Sequence, residues 1–337
     1  MDQLKVFAGS ANRPLAEAIA RRLRLPLGQV ALTPFPDGET FVKINEDIRG
    51  RDIFIIQPTC APQNENLMEL LLFIDAAHRA SAERITAVIP YYGYARQDRK
   101  DEGRVPISAK LVANMLQVAG ADRVLTVHLH AYQVQGFFDI PVDHLLSEPV
   151  FAEHYRRMHL KNLTVVSPDV GNVKTARVYA ELLDGDLAII DKERTGGTDV
   201  RAGALIGSVE GRTVLMVDDM ITSGGTIAKA ADLLKERGAR DIYVAATHPV
   251  LCGDAIARIV AAPIKAVTVT DTIPLSPEAR RVKKILQLSL AGLLAEAIKR
   301  IHLHQSISQL FLRKTGQPAC RVTARGRAGG LPRQTGR

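Results

Sequence analysis

The chain has 337 residues, 46% of them apolar and 24% charged, with 5% aromatic residues and no Trp. Those values exclude collagenous and wholly disordered classes and predict about two globular domains. The formal net charge of +8 suggests nucleic acid until it is localised: Arg313, Lys314, Arg321, Arg325, Arg327, Arg333 and Arg337 all lie in the last 25 residues, which hold no acid. A Gly-, Pro- and Arg-rich tail of that kind cannot bury a core and is expected to be disordered. Nucleic acid is therefore not expected as a partner except through residues 313–337. Cys60, Cys252 and Cys320 are odd in number and far apart, which argues against a disulfide framework or a zinc site and fits a reducing, cytoplasmic setting. The first residues lack a signal-peptide layout, and the longest apolar stretch, 67–77, is too short and too charged to span a bilayer.

In chain order, β-branched runs predict strands at 5–8, 53–56, 86–89, 124–127, 164–166, 187–190, 213–217, 243–246 and 266–269. Helical periods predict helices at 14–24, 65–80, 106–119, 149–159, 173–183, 226–237 and 290–300. Continuous apolar strands alternating with helices imply an α/β fold of mainly parallel sheets flanked by helices. The Pro-containing segment 139–149 separates two runs of such units. It places a boundary near residue 145, giving domains 1–145 and 146–312 and a basic tail 313–337.

The most informative stretch is Val214-Leu-Met-Val-Asp-Asp-Met-Ile-Thr-Ser-Gly-Gly-Thr226. It reads as a buried strand ending in Asp218 and Asp219, a tight turn, and a helix N-terminus. Gly224 and Gly225 permit positive φ and close backbone approach. Backbone N–H groups, the hydroxyls of Thr222, Ser223 and Thr226 and the positive helix end would cradle a phosphate. Two acids at the carboxyl end of a strand, beside that cradle, suit sugar hydroxyls or a divalent cation. A ligand with both a phosphate and a polyol is a sugar phosphate. The turn resembles the phosphoribosyl-pyrophosphate loop of the phosphoribosyltransferase-like superfamily.

Four other segments carry chemistry. Thr33-Pro-Phe-Pro-Asp-Gly-Glu-Thr40 is by itself a solvated turn, or a purine platform at Phe35 flanked by Asp37 and Glu39. Tyr94-Ala-Arg-Gln-Asp-Arg99 is either an ion-paired loop or a polyphosphate grip through Arg96 and Arg99, with Gln97 reading a base edge. Val124-Leu-Thr-Val-His-Leu-His130 ends a strand with two histidines at i, i+2, expected on one face; Ser167-Pro-Asp169 ends another strand with a carboxylate. One His and one Asp do not complete a cage, but Mg²⁺ commonly keeps water and phosphate in its remaining positions. Asp191-Lys-Glu-Arg194, followed by Gly196-Gly197, reads as an exposed charge cluster or as a cationic lid.

Taken together and in order, these segments resemble the ribose-phosphate pyrophosphokinase family, across roughly residues 3–312. The resemblance also covers Gln57-Pro-Thr-Cys-Ala-Pro62, Leu129-His-Ala131, Gln135-Gly-Phe-Phe138 and Ala246-Thr-His-Pro249. It implies two phosphoribosyltransferase-like domains with the active site between them. The implied reaction moves the pyrophosphoryl group of MgATP to the anomeric hydroxyl of ribose 5-phosphate, giving 5-phosphoribosyl 1-pyrophosphate and AMP. It implies ATP binding by Phe35, Asp37, Gly38, Glu39, Arg96 and Gln97, and Mg²⁺ at His130 and Asp169. Ribose 5-phosphate would bind Asp218, Asp219 and residues Thr222, Ser223, Gly224, Gly225 and Thr226, with Lys192 and Arg194 as the catalytic flap and Arg194 also facing the sugar phosphate. A homo-oligomer, typically a hexamer built from dimers, is implied as well. Departures from the family pattern are His128 in place of a common Asp, Thr222 in place of a common acid, and Asn172 and Thr175 in place of a frequent Gly and Arg. Two rival readings are a phosphoribosyltransferase, which would share only the loop, and a non-catalytic regulatory paralogue, which should have lost flap or metal residues.

Overall fold

A computed structural model of the chain describes residues 3–191 and 204–310. The basic tail and the flap residues Lys192 and Arg194 lie outside the described residues.

The N-terminal half carries strands β1 (Leu4–Ala8), β2 (Val30–Pro34), β3 (Thr40–Ile44), β4 (Asp52–Ile56), β5 (Arg84–Ile89), β6 (Arg123–Val127) and β7 (Val142–Leu145). Its helices are α1 (Arg13–Leu23), α2 (Gln63–Arg79) and α3 (Ser108–Ala119). Five strands form an all-parallel sheet in the order β1-β4-β5-β6-β7, while β2 and β3 pair separately as an antiparallel hairpin. Alternate residues of β4 serve opposite faces, as strand geometry requires. Ile53 and Ile55 pack with Phe73 and Ile74 of α2 and Leu116 of α3, whereas Phe54 and Ile56 pack with Leu15 and Ile19 of α1.

The second half carries α4 (Glu148–Arg157), β8 (Leu163–Ser167), α5 (Val173–Leu183), β9 (Asp186–Ile190), β10 (Leu205–Ile206), β11 (Thr213–Ile221), α6 (Gly225–Glu236), β12 (Asp241–Pro249), α7 (Ala255–Ala261), β13 (Ala266–Thr270), α8 (Pro277–Arg281), β14 (Ile285–Leu288) and α9 (Ala291–His302). The sheet order is β10-β9-β8-β11-β12-β13-β14, parallel except for β10. Val214 and Met216 of β11 pack towards α6, and Leu215 and Val217 towards Phe151 and Tyr155 of α4 and Tyr179 of α5.

Helix α9 follows the C-terminal sheet in sequence but covers the N-terminal one. Leu294, Ala297 and Ile298 share a buried cluster with Val6, Phe54 and Leu125. The seat is fastened by buried Asp52, which accepts from Arg84 Nη2 at 2.5 Å and lies 2.8 Å from His302 Nδ1. Helical periodicity predicts this helix but says nothing about which sheet it covers. The hairpin β2–β3, the short strands β7, β10 and β14, and helices α7 and α8 were not among the predicted elements. Each is short, or lacks a sustained apolar period, so its identity is decided by its neighbours.

Candidate active site

The strand order locates a crevice. In the C-terminal sheet, β9 lies on one side of β8, while β11, β12 and β13 run away on the other. The connections therefore reverse direction between β8 and β11, and open α/β sheets bind ligands outside the carboxyl ends of such a pair. β8 pairs with β11 only as far as Val166↔Met216. The next carbonyl, Val217 O, accepts from the Asn172 side chain at 2.8 Å instead. Asp169 caps the turn that carries Asn172, its Oδ1 accepting from Asn172 N at 3.1 Å. Asn172 thus ties the turn that carries Asp169 to the neighbouring strand.

The sequence predicts a strand over 213–217 with the two acids at its carboxyl end. Instead β11 continues to Ile221, because β12 keeps pairing with it through Asp218↔Ala246, Met220↔His248 and Ile221↔Pro249. Asp218 and Asp219 are therefore held within the strand. Asp219 N donates to Asp218 Oδ1 at 2.9 Å.

The N-terminal half supplies His130. Asp219 Oδ2 is 2.5 Å from His130 Nδ1, joining β11 to the segment that follows β6. His128 and His130, expected on one face of a strand, both reach the wall of one cavity, but not by strand alternation. β6 ends at Val127, and His128 adopts φ 43°, which breaks the strand alternation. His128 is buried at 3% exposure, with Nδ1 2.7 Å from the Thr247 hydroxyl, while the His130 side chain is 41% exposed. The peptide between them is held from two directions. His248 Nε2 donates to His128 O at 3.0 Å, and Leu129 N donates to His144 Nε2 at 2.8 Å. Sequence reasoning did not single out His144, Thr247 or His248 as site residues. The motif Ala246-Thr-His-Pro249 was a signal for the last two.

His130, Asp169, Asp218 and Asp219 line one cavity of about 1000 Å³, with Arg99 and Asp191 also on its wall. Its electrostatics follow from crowding. Burial and the adjacent Asp219 push Asp218 well above the ordinary carboxylate range, and Asp169 adds to the effect. Although burial opposes its ionisation, Asp219 is held at about 2 by the hydrogen bond and charge of His130. The same hydrogen bond raises His130, against burial and the nearby Arg96 guanidinium. A wall this rich in carboxylates calls for cations. Among the described residues, no group of three or more His, Cys, Asp or Glu is placed to hold a metal alone. His130 and Asp169 both line the cavity, and a cation bound there would draw the rest of its shell from water and phosphate oxygens.

The turn 222–226 follows the two acids and enters α6. Gly224 has φ 72°, and a Cβ there would meet Ala255 O at 3.2 Å; Gly225 begins the helix. Thr222 to Thr226 stand next to the cavity in sequence but are not on its wall. The segment 35–39 is the exposed end of the β2–β3 hairpin. Phe35 sits edge-on to Phe41 at 5.5 Å, and Glu39 N donates to Asp37 Oδ1 at 3.2 Å. Neither Phe35, Asp37, Gly38 and Glu39 nor Arg96 and Gln97 line that cavity. Gln97 instead meets the Ser108 hydroxyl at the start of α3. Thr175, another departure, hydrogen-bonds Tyr132 from the N-terminal half.

Two mainly parallel sheets flanked by helices, with a carboxylate-rich cavity lined by residues of both halves, define a two-domain α/β protein. Comparison with known proteins narrows that class. The N-terminal domain of ribose phosphate pyrophosphokinase matches residues 4–120, and the phosphoribosyl synthetase-associated domain matches residues 202–312. The ribose-phosphate pyrophosphokinase of Rhodopirellula baltica is 58% identical, over 92% of this chain and 99% of the relative. That of Neisseria meningitidis is 53% identical, over 92% and 95%. The crystal structure of phosphoribosylpyrophosphate synthetase from Mycobacterium smegmatis superposes with a TM-score of 0.85 at 43% identity, covering 90% of this chain and 99% of that one. The chain belongs to the ribose-phosphate pyrophosphokinase family.

Proposed function

We propose that the crevice between the two sheets joins MgATP to ribose 5-phosphate. The family's activity, synthesis of 5-phosphoribosyl 1-pyrophosphate, is the activity of this chain, and the matches along nearly the whole length of the relatives do not favour a phosphoribosyltransferase or a regulatory paralogue. The observation that carries the reading is the convergence of His130, Asp169, Asp218 and Asp219 on one cavity directly before the glycine turn.

In this reading the anomeric hydroxyl of ribose 5-phosphate attacks the β-phosphorus of ATP, and AMP leaves. Asp218 and Asp219 hold the ribose hydroxyls, and residues 222–226 hold the 5-phosphate through N–H groups and hydroxyls at the start of α6. Arg96 and Gln97 bind ATP, as do Phe35, Asp37, Gly38 and Glu39 of the hairpin. Those six roles are carried over from the family resemblance. Lys192 and Arg194 close over the polyphosphate and spread its developing charge. Mg²⁺, when held by His130 and Asp169, neutralises phosphate charge and orients the phosphates for in-line transfer. The same reading includes a domain division near residue 145, a homo-oligomer of hexameric order and a cytoplasmic location. Among the described residues, no helix is long and apolar enough to cross a membrane.

The deciding experiment is AMP formation by the purified protein with MgATP, with and without ribose 5-phosphate. AMP that appears only with the sugar phosphate is the expected result. ADP as product would make the chain an ordinary kinase. No turnover with ATP binding intact would favour the regulatory reading.

A further inference from the structure

Three successive carbonyls at the end of β11 are held by one short segment. Leu251 N donates to Ile221 O at 2.9 Å, and Cys252 N donates to Thr222 O at 3.0 Å. The third donor is a side chain: Arg258 Nη1 donates to Ser223 O at 2.9 Å. The following carbonyl, Gly224 O, is already taken by Ala228 N of α6 at 3.0 Å. All three donors lie between the end of β12 and the middle of α7. That segment also packs against the glycines. Ala255 O stands 3.2 Å from where a Gly224 Cβ would be, and Arg258 Nη1 3.7 Å from a Gly225 Cβ.

Each peptide unit is a rigid plane whose C=O and N–H point in opposite directions. Fixing the carbonyls of residues 221–223 therefore fixes the direction of the N–H groups of residues 222–224. The first N–H groups of α6, which follow, have no intrahelical partner. Leu251 and Cys252 act through their main chain, so any residue but proline at those positions could supply their bonds. Arg258 is different, because its contribution depends on the side chain. Its guanidinium can donate to Ser223 O through Nη1 while Nη2 remains near Asp254 Oδ2, at 3.5 Å. A fork with several donors in one plane suits that double contact, and lysine does not.

We propose that Arg258 is a positioning residue for the 222–226 turn: it holds the Ser223 peptide so that the turn's N–H groups face the 5-phosphate of the sugar substrate. The link to the substrate rests on the function proposed above, whereas the holding of the turn does not. The side chain is 43% exposed. Its removal therefore leaves no buried cavity, and the variants are expected to fold.

The test compares the full-length protein with Arg258→Met, which keeps the apolar stem, and with Arg258→Lys. Amide hydrogen exchange without ligand reads the holding alone. Arg258→Met should speed exchange at Cys252 and Ala228, whose N–H groups donate to carbonyls of the turn, and leave the sheet unchanged. Steady-state kinetics reads the consequence. KM for ribose 5-phosphate should rise roughly five- to tenfold, the size of one lost hydrogen bond. KM for ATP and kcat should change less than about twofold, the pattern of lost uniform binding. Arg258→Lys should recover part of both effects. Unchanged exchange in Arg258→Met would overturn the proposal, and so would equal rises in KM for both substrates. Faster exchange with an unchanged KM for ribose 5-phosphate would keep Arg258 as the turn's support and sink the assignment of the turn to the sugar phosphate.

Discussion

His130 Nδ1 and Asp219 Oδ2 lie 2.5 Å apart, although 89 positions separate them and they come from different halves of the chain. The contact raises the His130 pKa, so this pair stabilises the fold below the unfolded His value of 6.5, and the contribution is lost as pH rises through the raised folded value. Asp219→Asn removes the charge that sustains the shift. The His130 midpoint, read by NMR titration, should fall towards 6.5, and turnover should drop by ~10² or more, as for a lost preorganised charge. A midpoint that stays where it is in the variant would mean the two side chains are not coupled in solution.

Gly224→Ala tests the turn from its own backbone. The residue sits at φ 72°, and the new methyl would approach Ala255 O to 3.2 Å. The left-handed conformation alone costs an L-residue about 1–2 kcal/mol. The variant should lose at least that much in urea unfolding, and its KM for ribose 5-phosphate should rise. Equal stability would show that the turn relaxes into another conformation.

Acid sensitivity should come from the histidines between the sheets. Burial and neighbouring histidines push His144 and His248 down to about 4. Between that value and 6.5 the unfolded chain binds more protons than the folded one, so stability rises with pH across this window and is lost as pH falls through it. Each histidine accounts for up to roughly 3 kcal/mol. Thermal unfolding between pH 7 and pH 4 should show the decline. His248→Gln, which keeps a donor for His128 O without a titrating ring, should flatten it. A variant curve parallel to the parent would remove His248 from the account.

Lys192→Ala addresses a residue outside the described part of the chain. Folding and ATP binding should stay near normal while turnover falls by about 10²–10³, the usual cost of removing one charge donor from a phosphoryl-transfer site. Unchanged turnover would end its assignment to the catalytic flap.

Some of this protein was decided locally. Apolar runs such as Ile53–Ile56 become buried parallel strands because both of their faces are covered, and hydrophobic composition alone records that requirement. Ser223-Gly224-Gly225 becomes a turn into a helix because its φ is open only to glycine at little cost. Family membership was likewise readable from motif order. What depended on tertiary structure was every relation across the sheets. β11 runs past Asp218 because β12 is there to pair with it, and α9 returns to the N-terminal sheet because α1 alone does not cover that face. His128 turns its ring to the Thr247 hydroxyl and its carbonyl to His248, while His130 meets Asp219. A one-dimensional pattern records the chemistry of each residue and its near neighbours, whereas hydrogen bonds between residues about a hundred positions apart exist only once the two sheets have packed.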